Sequence, residues 1–142
     1  MDIETPYVAT TNGIQVKVAP VFDEERSLID QNVFIFLYAV EFTNNNEIPV
    51  QLMHRHWIIR NGRNEEKLIE GAGVIGEQPI ILPGQSFHYY SQCPLDTPTG
   101  SMRGHYTFRY RSGEEFTVNI PPFFLRLQDI LSNLNGIYNP IN

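Results

Sequence analysis

The sequence predicts an all-β protein, an antiparallel β-sandwich of the immunoglobulin or fibronectin type III kind with about seven strands. Short apolar segments follow one another closely, turn signals rich in asparagine, glycine and proline separate them, and no convincing helix lies among them. The chain has 142 residues, 42% of them hydrophobic and 18% charged, which suits one domain with a substantial core.

The first predicted strand begins at Ile14, where apolar and polar residues alternate. Residues 1–12 show no periodicity, and we expect a flexible lead-in there, before a domain over residues 13–125. Pro20 suits an edge strand, because proline cannot donate a hydrogen bond to a neighbouring strand.

A central strand is predicted at residues 50–59, which are apolar on both alternating faces. It follows a strand over residues 33–43 that ends at an asparagine-rich turn. We expect Trp57, the one tryptophan, to anchor the core together with Cys93 and Tyr106. Side chains alternate along this strand with period 2, so one face is predicted to carry Met53, Arg55, Trp57 and Ile59.

The second half of the chain shows further strand patterns. They cover residues 65–70, 86–92, 102–111 and 115–120. The first of these is short and charged, as expected at a sheet edge. Residues 94–100 predict a rigid loop, and Ser112-Gly113 a two-residue hairpin loop.

The tail over residues 126–142 has a different pattern. Apolar residues fall at helical spacing at Leu127, Ile130, Leu131 and Leu134. This predicts a short helix that either covers a sheet edge of its own domain or docks on a second subunit, because so short a helix is marginal alone. Exposed edge strands and this tail make a homodimer an open expectation.

Composition excludes several classes of function. The net charge of −6 argues against a nucleic-acid or anionic-membrane partner, since both need clustered lysine and arginine. No apolar run approaches the roughly 20 residues that span a bilayer. The chain begins with acidic residues where a secretory signal carries positive charge, and the single Cys93 permits no internal disulfide. We therefore expect a cytoplasmic protein.

Glycines 71, 73 and 76 match the Gly-x-Gly-x-x-Gly spacing of dinucleotide-binding loops. That motif requires a helix at its third glycine, and Pro79 and Pro83 prevent one here. Irregular strand with close backbone approach is the favoured interpretation. An anion held by backbone N–H groups stays an alternative.

His54 and His56 lie on one face of the predicted central strand and suggest a metal site. Zinc usually takes three or four ligands. The additional ligands would have to come from His88, His105, Cys93 or Asp96. Two partly exposed histidines that hydrogen-bond to neighbouring strands are the favoured interpretation.

No catalytic constellation can be identified. No Gly-x-Ser-x-Gly nucleophile elbow occurs. Cys93 lacks the cation or helix N-terminus that activates a thiol, which favours a buried structural cysteine. We expect neither enzymatic activity nor a cofactor.

Several separate motifs occur in order, at residues 55–57, 71–79, 93–106 and 120–123. On these residues the chain resembles the ApaG family from about Ile14 to Leu125. The resemblance implies a fibronectin type III-like β-sandwich. It also implies a protein found alone in bacteria and as a module of some eukaryotic F-box proteins, where it is taken to bind proteins. Bacterial members are associated with cobalt and magnesium resistance or efflux.

The resulting hypothesis is a non-catalytic interaction module with a protein partner. Its predicted surface lies where residues 71–79 meet the loop over residues 93–104, because both combine constrained backbone with polar groups. The candidate contact residues are Arg55, His56, Gly71, Gly73, Gly76, Glu77, Gln78, Asp96, Thr97 and Arg103. The alternative is a protein that binds a small anion (pyrophosphate or a nucleotide) or a divalent metal.

Overall fold

A computed structural model describes residues 6–127 and contains nine β-strands within that range. They are β1 Tyr7–Thr11, β2 Ile14–Phe22, β3 Phe34–Asn44, β4 Val50–Asn61, β5 Glu66–Ala72, β6 Ile80–Ile81, β7 Ser86–Leu95, β8 Thr99–Tyr110 and β9 Glu115–Arg126. A short 3-10 helix lies between β2 and β3, at Ile29–Gln31.

The strands form two antiparallel sheets. The first has the order β1-β2-β3-β7 and the second β5-β4-β8-β9, with β6 paired to β4 beyond the end of β5. The β-sandwich predicted from the sequence is therefore confirmed. The central position predicted for residues 50–59 is also confirmed, since β4 has β8 on one side and β5 and β6 on the other.

The core between the sheets is aromatic. Trp57 is 2% exposed and packs edge-on against Tyr38, Tyr106 and Phe123, with ring centroids 5.5–5.9 Å apart. Edge-to-face contacts at this distance add to the stabilisation that burial supplies. Cys93 also lies in this core.

A β-bulge in β4 overturns the predicted alternation of its side chains. Leu52 pairs with Phe108 and His54 with Thr107, which leaves Met53 as the extra residue. Strict alternation places Leu52 and Trp57 on opposite faces, but both are buried in the core. The extra residue shifts the phase by one, so a pattern that assumes period 2 is wrong across this point.

The predicted flexible lead-in is wrong at residues 7–11. These residues form β1 and pair with residues 14–18 of β2 around a turn with Asn12 and Gly13 at positive φ. The prediction that the strand with Pro20 is an edge strand is also wrong, because β2 lies between β1 and β3.

Within the described residues, Pro20 itself has no partner in β1, since the pairing of β1 with β2 ends at Val18.

Prolines mislead the prediction at two further places. The rigid loop predicted for residues 94–100 is limited to residues 96–98, because β7 continues through Pro94 to Leu95. Likewise β9 continues through Pro121 and Pro122 to Arg126. Both strands lie at sheet edges, where a missing N–H interrupts no ladder.

The last hairpin has a longer loop than predicted. The loop between β8 and β9 spans residues 111–114, not the predicted two, and the Gly113 N–H donates to Tyr110 O. The tail helix predicted beyond residue 127 lies outside the described residues. Leu127 itself packs against the core.

Candidate functional site

The two long sides of the sandwich differ. On one side β9 packs against β1 and β2. On the other side β7 and β5 are the last strands of their sheets, and a groove of about 640 Å³ lies between them. We call this space the groove and the side that contains it the open side.

The floor of the groove is mainly apolar. It is formed by inward-facing side chains of both sheets, namely Tyr38, Trp57, Ile59, Ile69, Cys93 and Met102. The rim is polar and charged, with Asn61, Glu65, Glu66, Lys67, Ser91, Gln92 and Asp96. An apolar floor with a few polar groups at its margin is typical of binding sites.

Buried hydroxyl groups lie behind this floor. The hydroxyls of Tyr89 and Tyr106 are 2.6 Å apart, and burial raises the pKa of both groups. The buried Nε1 of Trp57 has no well-formed hydrogen bond within residues 6–127. It lies near the Tyr89 hydroxyl and opposes part of the rise in the pKa of Tyr89. These tyrosines therefore stay protonated and act as structural groups.

Cys93 is a buried free thiol. Burial raises its pKa to about 12, although Lys67 opposes part of the rise. The thiolate is the nucleophilic form, so Cys93 is unreactive near neutral pH. This agrees with the structural role favoured from the sequence.

One end of the groove carries a charged cluster. The Arg63 guanidinium binds the carboxylates of both Asp96 and Glu65 and holds the pKa of Asp96 below its ordinary value. Asn61 donates to Glu65 Oε1 at 2.8 Å and is the main cause of the lowered pKa of that carboxyl. Thr97 Oγ1 accepts the backbone N–H of Gly62 at 2.8 Å. Asp96 and Thr97 thus fasten the loop to the end of β4.

Arg55 closes the other end of the groove. Its Nη1 donates to Ala72 O at 3.1 Å and to Gly73 O at 3.0 Å. The guanidinium lies over Gly71, where a Cβ would come within 2.7 Å of Nη2. Arg55 therefore fixes the start of the segment that follows β5.

That segment forms a tight hairpin turn. The Val74 N–H donates to Glu77 O and the Glu77 N–H donates to Val74 O, with Ile75 and Gly76 between them at φ +49° and +73°. Positive φ at both central residues defines a type I′ turn. No helix begins at Gly76, in agreement with the favoured interpretation of the three glycines.

The hairpin is anchored to the bulge in β4. Gly73 N–H and Gln78 Nε2 both donate to Met53 O. Gly73 has φ +61°, and a Cβ there would lie 2.0 Å from Glu77 O, so only glycine fits. Glu77 closes this rigid turn and Gln78 follows it, and Ile75 at its tip is 64% exposed. We call residues 74–77 the hairpin tip.

The two halves of the predicted surface do not meet. Residues 73–78 contact β4 at Met53, whereas Thr97 contacts the chain at Gly62. Gly62 lies nine positions after Met53, which corresponds to about 30 Å of extended strand. Arg103 lies apart from both, with its Nη1 donating to Glu66 Oε2 at 2.9 Å. The structure therefore separates the hairpin tip from the Asp96 loop.

His54 and His56, the alternative candidates for a metal pair, lie beside Glu70 and His105. His56 stacks on His105 with centroids 4.5 Å apart, and its Nδ1 lies 3.2 Å from Glu70 Oε1. The pKa of His105 is lowered mainly by burial and, to a smaller extent, by the charge of the neighbouring His56. His54 is exposed beside them on this sheet. No group of three His, Cys, Asp or Glu residues between residues 6 and 127 has the arrangement to hold a metal ion.

Two residues of the open side are not among the candidates predicted from the sequence. Lys67 belongs there to a charged edge strand, and Ile75 to the glycine motif. The available signals were alternation, which places Lys67 and Ile69 on one face, and an Ile-Gly pair where Asn-Gly is usual.

Within residues 6–127, no helix has the length and apolar character needed to cross a bilayer.

Comparison with known proteins gives a consistent result. The sequence model of the ApaG domain matches residues 24–110. A protein named ApaG from Methylobacterium sp. strain 4-46 is 50% identical over 119 residues, which cover 84% of this chain and 92% of the relative. A second, from Agrobacterium fabrum, is 42% identical over 129 residues, 91% of this chain and 99% of the relative. A solved structure from Bordetella pertussis, given the name ApaA, matches with a TM-score of 0.78 and 40% identity, over 80% of this chain and 93% of that one.

Proposed function

This chain belongs to the ApaG family, and from that premise we propose that it is a non-catalytic interaction module that presents its hairpin tip to a protein partner. The buried groups support a role without catalysis. Cys93 and the core tyrosines have raised pKa values and stay protonated near neutral pH. A nucleophile or general base needs a pKa nearer the working pH.

The backbone conformation of Ile75 carries the proposal. Four non-glycine residues among those described have positive φ, and the other three are asparagines. A β-branched residue in this region costs about 1–3 kcal/mol. The Ile75 side chain is nevertheless 64% exposed, so core packing does not repay that cost. A residue that is both strained and exposed points to a use for its side chain outside the domain.

The hairpin tip is also rigid, which favours binding. Two reciprocal backbone hydrogen bonds close the turn, and Gly73 and Gln78 tie it to Met53 O. A rigid loop loses little conformational entropy when a partner binds. An exposed isoleucine on such a loop can fill an apolar pocket and contribute about 1.5–3 kcal/mol. Any role in cobalt or magnesium resistance would then act through the bound protein.

The test replaces Ile75 by the residue that the turn prefers. Ile75→Asn should raise the unfolding free energy by about 1 kcal/mol, because asparagine tolerates positive φ. It should also lower recovery of the partner about tenfold or more, because the anchor is lost. Partners are identified by photo-crosslinking from position 77 of the hairpin tip in the native host, which keeps Ile75 in place, and recovery is quantified by mass spectrometry.

Leu68 provides the matched control. It is 54% exposed on β5 and lies outside the hairpin tip. Leu68→Thr should leave recovery of the partner unchanged, and a photo-crosslinker at position 68 should not capture the same protein. Equal recovery by the Ile75→Asn variant and the parent chain would refute the proposal.

Within residues 6–127, no specific contact favours the alternative of metal or anion binding. Arg55 is engaged by two carbonyls, and the N–H groups of Gly73, Val74 and Glu77 are used within the hairpin and its anchor. We therefore expect no His-dependent rise in melting temperature with cobalt, magnesium or pyrophosphate. A rise that disappears in the double variant His54→Ala, His56→Ala would instead support direct metal binding.

A further inference from the structure

The groove is a second site, independent of the hairpin tip. We propose that it binds an extended peptide segment of another protein, which adds as a strand along the edge of β7. One side chain of the segment is apolar and lies over Trp57 and Ile69. A carboxylate two residues away pairs with Lys67. This binding function goes beyond that of the hairpin tip, because it uses other residues and another kind of contact.

The unpaired edge of β7 provides the backbone part of the site. Within residues 6–127 this strand pairs on one side only, with β3. An edge strand presents outward N–H and C=O groups that an added strand can pair with, except that Pro94 of β7 has no N–H to donate. Facing sheets lie about 10 Å apart, so side chains from an added strand reach those of β5 across the groove.

The spacing on β5 defines the side chains that fit. Ile69 lies opposite Trp57 in the register of β4, and Lys67 lies opposite Ile59, two residues along the same face. All four line the groove. A peptide strand also repeats its side chains on one face every two residues, so an apolar residue and an acid at positions i and i+2 match this arrangement.

Lys67 is the cation available to a ligand. Arg63 is bound by Glu65 and Asp96, Arg55 by two carbonyls, and Arg103 by Glu66. No hydrogen bond or ion pair is found for Lys67 among the described residues, and its side chain is exposed. Its positive charge disfavours an apolar or basic strand and favours an acidic one, which gives the edge selectivity.

The experiment uses the full chain and a defined probe. The probe is the capped peptide Thr-Val-Thr-Phe-Thr-Glu-Thr, and binding is read from the fluorescence of Trp57, the single tryptophan. We expect saturable binding that weakens at least tenfold when the peptide's Glu becomes Lys. Binding should weaken similarly when Phe and Glu are adjacent, because the two side chains then point to opposite faces.

Charge reversal in the protein sharpens the test. Lys67→Glu should reverse the preference, so that the Lys peptide binds at least tenfold more tightly than the Glu peptide. Lys17→Glu is the matched control, because Lys17 and Lys67 are the only lysines and Lys17 lies on β2 of the other sheet. It should leave the preference unchanged, as should Ile75→Asn. The hairpin-tip proposal and this one can therefore fail separately.

Three outcomes would overturn the inference. The first is no saturable change in fluorescence, and the second is a preference for the Glu peptide that survives in Lys67→Glu. The third is zero-length carbodiimide coupling of Lys67 to a carboxylate of residues 128–142, or to a second copy, that the Glu peptide does not compete away. That result would assign the groove to the chain's own tail or to a homodimer.

Discussion

The two long sides of this sandwich differ in how their edges are completed. On the closed side, Asn12 Nδ2 donates to Thr117 O at 3.0 Å and Asn119 N–H donates to Thr11 Oγ1 at 3.2 Å, which joins β1 to β9 across the two sheets. On the open side no such bridge is found between described residues of β5 and β7, and the groove separates them.

This difference is the basis of both binding proposals. A side whose edges are joined by side-chain and backbone hydrogen bonds has few groups left for a partner. The open side has an apolar floor, a β7 edge that pairs with no further strand within residues 6–127, Lys67 and the adjacent hairpin tip. The closed side therefore serves the cohesion of the fold, and the open side is the one to which we assign the two proposed contacts.

The largest effect is expected where the floor of the open side is removed. Trp57→Ala should lower the unfolding free energy by about 3–5 kcal/mol, because it leaves a cavity among Tyr38, Tyr106 and Phe123. Ile120→Val on the closed side should cost only about 0.5–1.5 kcal/mol. Urea unfolding measures both, and similar losses in the two variants would mean that the floor contributes no special stability.

The hydroxyl pair behind the floor should give the next effect. Tyr106→Phe leaves the buried hydroxyl of Tyr89 without this partner and should cost about 1–3 kcal/mol. The double variant with Tyr89→Phe should cost less than the sum of the two single variants, because no unpaired hydroxyl remains. A double-mutant cycle by urea unfolding tests this, and strict additivity would argue against coupling of the two groups.

A smaller effect is expected from the bridge on the closed side. Asn12 has φ +50° and is exposed, so Asn12→Gly keeps the turn and removes only the hydrogen bond to Thr117 O, at a cost of about 0.5 kcal/mol. Asn12→Ala adds about 1–2 kcal/mol, because alanine disfavours positive φ. Thermal unfolding compares them, and the account is wrong if the alanine variant is as stable as the glycine variant.

The smallest effect concerns pH. His105 has a lowered pKa in the folded protein, so the unfolded chain binds its proton more readily. The contribution of neutral His105 to the stability of the fold is fully present above the pKa of about 6.5 that the residue has in the unfolded chain. It is lost as the pH falls through the lower pKa of the folded protein. His105→Gln should therefore flatten the fall in stability between about pH 7 and pH 5. An unchanged slope in urea unfolding at several pH values would exclude this residue as a cause.

Strand positions were predictable because the patterns that encode them are local. The apolar character of residues 50–59 indicated a central strand, and the charged residues near Glu66 indicated an edge. Prolines were the main source of error, since Pro94 and Pro121 interrupt no ladder when they lie in edge strands. Whether a strand lies at an edge depends on its neighbours in the sheet.

The candidate site was less predictable for the same reason. The exclusion of a helix after the glycine motif is correct, because the prolines that follow it prevent one, but residues 74–77 form a tight turn rather than irregular strand. The expectation that this segment meets the Asp96 loop was wrong. One segment contacts β4 at Met53 and the other contacts Gly62, just after β4, nine positions further along, and no local pattern reports such a distance.

By itself, the sequence determined the class of the fold, the core position of Trp57 and the family, because alternation, turn residues and ordered motifs are properties of neighbouring residues. The tertiary structure decided which strands became edges, where the bulge at Met53 reversed the faces of β4, and which side stayed open. Those features depend on pairing between residues far apart in the chain, which is set by the packing of both sheets together.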